Sequence, residues 1–207
     1  MNKQIAQAIS VVTHPLLMPS LLFLILLYQA PTMLLGIQES IRGSLMLIIF
    51  ICTFAVPFLA LFMLYSLRVI KNFHLPTKEE RLVPFMMTTL LYAILTFFLN
   101  KIQANIDYKI VYIFFGITLS GSLLTVVTYF WKISAHTLAL GGIIGTLFVF
   151  AFRTGDRALL LPITLLTLLA GVTVSARLAL DAHKINELWS AFLMGSVVNA
   201  ACLLWFY

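Results

Sequence analysis

A chain of 207 residues with 62% apolar and 10% charged residues cannot hide its apolar side chains in one soluble core, where about 25% charge is usual. The composition excludes a soluble globular domain and requires an integral membrane protein, and nothing in it points to a nucleic-acid partner. The formal net charge of +6 suits an anionic substrate or a lipid headgroup, although loop charge also sets topology.

A hydrocarbon layer of about 30 Å needs about 20 helical residues to cross it. The apolar runs predict spans near 15–35, 42–67, 84–100, 110–131, 136–152, 158–177 and 188–206. Seven helices is the simplest count, with six plus a re-entrant piece as the alternative, because the third and fifth runs are short. The single Lys3, the polar stretch before Leu16 and Pro19 inside the apolar run argue for a retained first helix rather than a cleaved signal peptide. Residues 84–131 read as a helical hairpin. No Gly/Ser linker or long polar stretch interrupts the chain, so residues 1–207 form a single membrane domain with an all-α, polytopic helical bundle.

Within these spans, Gly141 and Gly145 form a G-x-x-x-G pattern that lets helices approach closely, with Gly195 and Asn199 in a similar role. Pro57 and Pro162 are expected to kink their helices. Trp131, Trp189, Trp205 and Tyr207 read as interface anchors. Cys52 and Cys202 lie deep in apolar segments, without metal-ligand spacing, and read as packing residues.

Alternating the connections between membrane faces places those near 68–83, 132–135 and 178–187 on one face with the N-terminus. The other face takes those near 36–41, 101–109 and 153–157 with the C-terminus. All four histidines, His14, His74, His136 and His183, then fall on or near the first face. So do Lys71, Lys78, Arg81, Lys132, Arg177, Lys184 and Glu187. A charged side chain at a bilayer centre costs roughly 2.5–3.5 kcal/mol on insertion scales, so this cluster belongs at a membrane face or in a wet cavity.

Cations from three separated segments suit the spread negative charge of a phosphoryl group, since guanidinium binds phosphate through paired hydrogen bonds. His183 and Glu187 are four apart and share a helix face, so the carboxylate can hold one ring nitrogen and leave the other as a nucleophile. His136, from a different segment, can protonate a leaving oxygen. Singly, each residue has a plainer reading. Ser134 is a good N-cap, Lys132 can snorkel, residues 78–81 can be a solvated loop, and His183 with Glu187 a surface pair.

Together these residues resemble the type 2 phosphatidic acid phosphatase superfamily, whose three motifs are K-x6-R-P, P-S-G-H and S-R-x5-H-x3-D. Ile133-Ser134-Ala135-His136 resembles the second motif, with Ile for Pro and Ala for Gly. Arg177-x5-His183-x3-Glu187 keeps the spacing of the third, with Glu for Asp and Ser175 one position out of place. Lys78-Glu79-Glu80-Arg81-Leu82-Val83-Pro84 follows the first with altered gaps, and Lys71 is the alternative lysine.

The resemblance, covering about residues 71–187, implies a membrane lipid phosphate or diphosphate phosphatase that needs no metal or other cofactor. His183 would attack phosphorus and form a phosphohistidine, Glu187 would orient it, and His136 would protonate the leaving group. Lys78 (or Lys71), Arg81, Ser134 and Arg177 would hold the phosphoryl oxygens. The substrate would be a lipid phosphate or a prenyl diphosphate, because a soluble ester gains nothing from a site at the bilayer surface.

Lys and Arg number eight on the face with the histidines and five on the other. Counted whole, the positive-inside rule makes the histidine face cytoplasmic. With Lys71, Lys78, Arg81, Lys132 and Arg177 set aside as phosphate ligands, the balance reverses. The resemblance implies a bacterial inner membrane with the active site extracytoplasmic. The rival readings are a metal enzyme using the histidines, which lack close H-x-x-H spacing, and a non-catalytic or transport protein with a degenerate phosphate site.

Overall fold

A computed structural model describes residues 1–34, 37–73, 75, 77–102 and 107–206. Seven helical stretches in it are long and apolar enough to cross a membrane, and the described residues contain no strand. The protein is an integral membrane protein built as an all-helical bundle. His74 and Tyr207 lie outside the described residues.

The first stretch begins earlier than the hydropathy indicates. Helix α1, Lys3–Val12, is capped by the Asn2 side chain, which accepts from the Gln4 amide. It buries Ala6 and Ser10 and packs on the helix that carries Arg177 in its last turn. The polar stretch before Leu16 is therefore a helix, stabilised by this tertiary contact rather than by hydropathy. The chain breaks at His14, which is extended (φ −59°, ψ 132°) before Pro15, because a residue preceding proline is pushed out of the helical region. Helix α2, Met18–Leu24, then continues through one π-helical turn to Gln29.

The second stretch joins α3, Glu39–Phe50, to α4, Val56–Ser66, through a π-helical turn at Ile51–Ala55. The irregularity expected at Pro57 is this turn: proline cannot donate into the ladder, and the wider turn absorbs the loss. Tyr92 reaches across to it, donating to the Thr53 carbonyl at 3.0 Å, and Ser20 meets Thr53 at 3.0 Å. These bonds satisfy polar groups that water cannot reach in the hydrocarbon layer.

Helix α5, Lys78–Lys101, starts six residues before the apolar run. Thr77 caps it by accepting from the Glu80 amide at 3.4 Å, a T-x-x-E start that converts residues 78–81 from the expected loop into a first turn. That shift turns Arg81 inward, where it is 5% exposed. Helix α6, Tyr108–Phe130, returns antiparallel against α5 as the expected hairpin.

Helices α7 (Ala135–Thr154), α8 (Leu160–Ala179) and α9 (Ile185–Phe206) complete the bundle. Among the described residues α7 and α9 share the most extensive helix–helix contact. A Cβ on Gly141, Gly145 or Gly195 would overlap the carbonyl oxygen of Phe192, Ser196 or Leu138 respectively. Asn199 crosses to α6, donating to Ser120 Oγ at 2.8 Å. Pro162 sits in the first turn of α8, just after a short 3-10 turn at Arg157–Leu159, where its missing N–H leaves no bond unmade, so the expected kink is a helix start. Cys52 and Cys202 are free thiols, half-buried and buried.

Candidate functional site

The connections before α5, before α7 and between α8 and α9 meet at one end of the bundle. Arg81 joins all three. Its Nε donates to the Leu75 carbonyl at 2.8 Å. Its Nη1 donates to the Ile133 carbonyl at 3.3 Å and lies 3.1 Å from His183 Nε2. The shared face inferred from alternation is thus a physical contact.

Because guanidinium can only donate, His183 Nε2 must accept and Nδ1 must carry the proton. That proton faces Glu187 Oε2 at 2.9 Å. The same carboxylate oxygen accepts from the Lys184 amide at 3.1 Å. The imidazole is therefore fixed in one tautomer, with its nucleophilic lone pair turned to the cationic side of the site. His183 is 7% exposed and Glu187 8%. Burial, then Arg81, Arg177, Lys132 and His136, hold the His183 ring far below its ordinary value of 6.5, at about 2. It is neutral at pH 7, as a nucleophile requires.

Arg177, in the last turn of α8, donates from Nη1 to Ser10 Oγ at 3.4 Å. Its buried Nε has no hydrogen-bond partner among the described residues. A buried donor without an acceptor is costly, and here it lies beside Arg81 and Lys132. Lys132 lies between spans, and burial together with Arg81 and Arg177 lowers its ammonium below the ordinary value, Glu187 acting in the opposite sense. Arg81, Lys132 and Arg177 thus give one end of the cavity a cationic character.

His136 Nε2 lies 3.1 Å from the Ser10 carbonyl. A carbonyl only accepts, so Nε2 is protonated. His14 packs edge-on against this ring, with centroids 5.9 Å apart, and takes the Leu16 amide on its own Nδ1 at 3.3 Å. His136, His14, Arg81, Lys132, Arg177 and His183 all line one cavity of about 1050 Å3. It runs inward along α5 past Pro84, Phe85, Thr88 and Thr89 to Tyr92, and reaches Ser120 and Asn199.

Other expected ligands stand elsewhere. Ser134 is fully buried and caps α7, accepting from the Thr137 amide at 3.4 Å. Its amide donates to the Glu187 carbonyl at 3.4 Å, and Thr137 donates to the Leu188 carbonyl at 2.9 Å. Ser134 therefore locks the starts of α7 and α9 together and does not line the cavity. Lys78 is the first residue of α5 and does not line the cavity; its Nζ donates to the Tyr129 carbonyl at 3.3 Å. Lys71 is exposed and outside the cavity lining. Ser175 is exposed and donates to the Gly171 carbonyl of its own helix at 3.1 Å.

Ser10 is the site residue that sequence reasoning missed, since it belongs to no motif and only the packing of α1 on α8 brings it in. Among the described residues, no three His, Cys, Asp or Glu side chains group as metal ligands.

The fold and site define a polytopic helical membrane protein with a buried histidine–carboxylate pair and a cationic cavity at one end of its bundle. Comparison with family models, with curated proteins and with solved structures finds no match.

Proposed function

We propose that the protein is a membrane lipid phosphatase acting through a phosphohistidine, with a site like that of the type 2 phosphatidic acid phosphatases. The observation that carries this reading is the relay Glu187–His183–Arg81, at 2.9 and 3.1 Å. It presents a neutral imidazole lone pair to a guanidinium that an incoming phosphoryl group would engage. In the proposed reaction His183 Nε2 attacks phosphorus, and a phosphoryl oxygen replaces it as the acceptor for Arg81. The P–O bond to the leaving group breaks with its electron pair going to oxygen, and His136, which takes up a proton at Nδ1 as the substrate binds, passes that proton to the leaving oxygen. Water then attacks the phosphohistidine, the N–P bond breaks with its electron pair returning to His183 Nε2, the water proton goes to His136 Nδ1, and phosphate leaves. Arg177 and Lys132 balance the phosphoryl charge.

The rest of the cavity supports an amphiphilic substrate class. Much of the remaining lining is apolar, with Leu22, Phe54, Phe58 and Leu61 among its residues. A phosphate or diphosphate ester with a hydrocarbon tail matches both parts. Family resemblance favours a bacterial inner membrane and an extracytoplasmic site. The second reading, a non-catalytic or transport protein with a degenerate phosphate site, draws on the placement of Lys78 and Ser175 outside the cavity.

Phosphate release by the purified protein in detergent, with chelator present, over monophosphate and diphosphate lipids separates the two. The phosphatase reading expects release that His183→Ala abolishes while the folded protein persists. Release unchanged by that substitution sinks the mechanism, and no release from any lipid favours the non-catalytic reading.

A further inference from the structure

Helix α1 turns one face to the cavity. Lys3, Gln7, Ser10 and Val11 line it, at spacings of four, three and one, which is a single helical stripe, and His14 lines it just beyond the helix end. Ser10 in the middle of that stripe makes two contacts of different kinds to two different helices. Its carbonyl takes the Nε2–H of His136 on α7. Its hydroxyl takes an Nη1–H of Arg177 on α8.

We infer that Ser10 is a positioning residue for the site, orienting His136 through its main chain and Arg177 through its side chain, so that α1 is a working wall of the cavity. The inference rests on the phosphatase reading for its kinetic consequences but not for its geometry. A carbonyl partner fixes the His136 tautomer: Nε2 holds a proton permanently, and Nδ1 is the nitrogen that gains and loses one. A hydroxyl partner on Nη1 restrains a guanidinium whose Nε has no acceptor among the described residues, holding the fork ready for a phosphoryl oxygen. Helix α1 can deliver both because Ala6, one turn earlier, is fully buried and brings the backbone close to α8.

Two substitutions in the full-length protein separate the contacts. Ser10→Ala removes the hydroxyl and keeps the carbonyl. It should raise KM for a lipid phosphate, and weaken inorganic phosphate binding, by about three- to tenfold with kcat largely retained. Ser10→Thr should restore both. Ala6→Leu should push α1 off α8 and move carbonyl and hydroxyl together, lowering kcat as well and shifting the pH profile of turnover. The His136 tautomer, read by nitrogen NMR of histidine-labelled protein, should be the Nε2–H form in wild type and in Ser10→Ala. In Ala6→Leu it should become mixed.

Ser10→Ala and Ala6→Leu proteins that fold, bind phosphate as tightly as wild type and keep the wild-type tautomer signal would overturn the inference. If Ala6→Leu fails to fold, the Ser10→Ala and Ser10→Thr phosphate affinities decide alone. A wild-type protein that hydrolyses no lipid phosphate, yet shows these tautomer and phosphate-affinity shifts, upholds the positioning role and removes the phosphatase reading.

Discussion

Arg81 Nη1 lies 3.1 Å from His183 Nε2, joining residues 102 positions apart in the chain. This contact fixes the imidazole from one side while Glu187 fixes it from the other at 2.9 Å. Replacing Glu187 with Gln keeps the shape but removes the carboxylate that selects the Nδ1–H tautomer. Turnover of a lipid phosphate should fall by roughly 10²–10⁴ in kcat, the range that loss of an orienting carboxylate or of acid–base catalysis costs elsewhere. Glu187→Asp should retain more activity than Gln. Steady-state kinetics on the purified variants measure this, and a Gln variant as active as wild type would remove Glu187 from the mechanism.

The cations divide into those at the cavity and those beside it. Arg177→Ala should lower kcat by about 10²–10³, the usual cost of one donor to a transition-state anion. Lys78→Ala should leave kcat/KM within about threefold of wild type, because its ammonium is engaged with the Tyr129 carbonyl and surface contacts of this kind contribute little. The opposite order of effects would show that Lys78, and not Arg177, holds the phosphate.

The neutral state of His183 has a thermodynamic consequence. Its folded value lies far below the unfolded 6.5, so the unfolded chain binds the extra proton first as the pH drops. Stability from this group is fully present above pH 6.5 and is lost as the pH falls from there toward about 2. The slope approaches about 1.4 kcal/mol per pH unit. Thermal melts in detergent between pH 7.5 and 5 should show a steeper loss for wild type than for His183→Gln. Parallel profiles would mean that His183 is not held neutral by the fold.

Packing of α7 on α9 has its own test. Gly195→Ala would drive a methyl into the Leu138 carbonyl, and overpacking of a close helix pair should cost about 1–3 kcal/mol or more. Gly171, on α8, has nothing within 4 Å of a built Cβ. Gly171→Ala should be neutral or stabilise by about 0.5–1 kcal/mol through helix propensity. Melting temperatures of the two variants give the comparison, and equal temperatures would contradict the close approach.

Sequence by itself determined the membrane class, the count of seven spans and the small residues that permit close helix approach, because each depends on local quantities: hydropathy over about 20 residues and the spacing of small residues; that α7 meets α9 there is a tertiary result. The four-residue spacing of His183 and Glu187 likewise survives in the structure, since a single helical turn is enough to join them.

Tertiary structure decided the rest. The start of α5 at Lys78 depends on the Thr77 cap, and the partners of its first turn come from distant segments: Arg81 meets the Ile133 carbonyl and His183, while the Lys78 ammonium is taken by the Tyr129 carbonyl. The N-cap role of Ser134 was legible in the chain, but the tie of its amide to the Glu187 carbonyl of α9 came only with packing. Ser10 entered the site only because α1 packs across α8, a contact between positions 167 apart. Such long-range partners leave no periodic trace in the chain. Their positions follow from how apolar helices pack and from the need of every buried donor to find an acceptor.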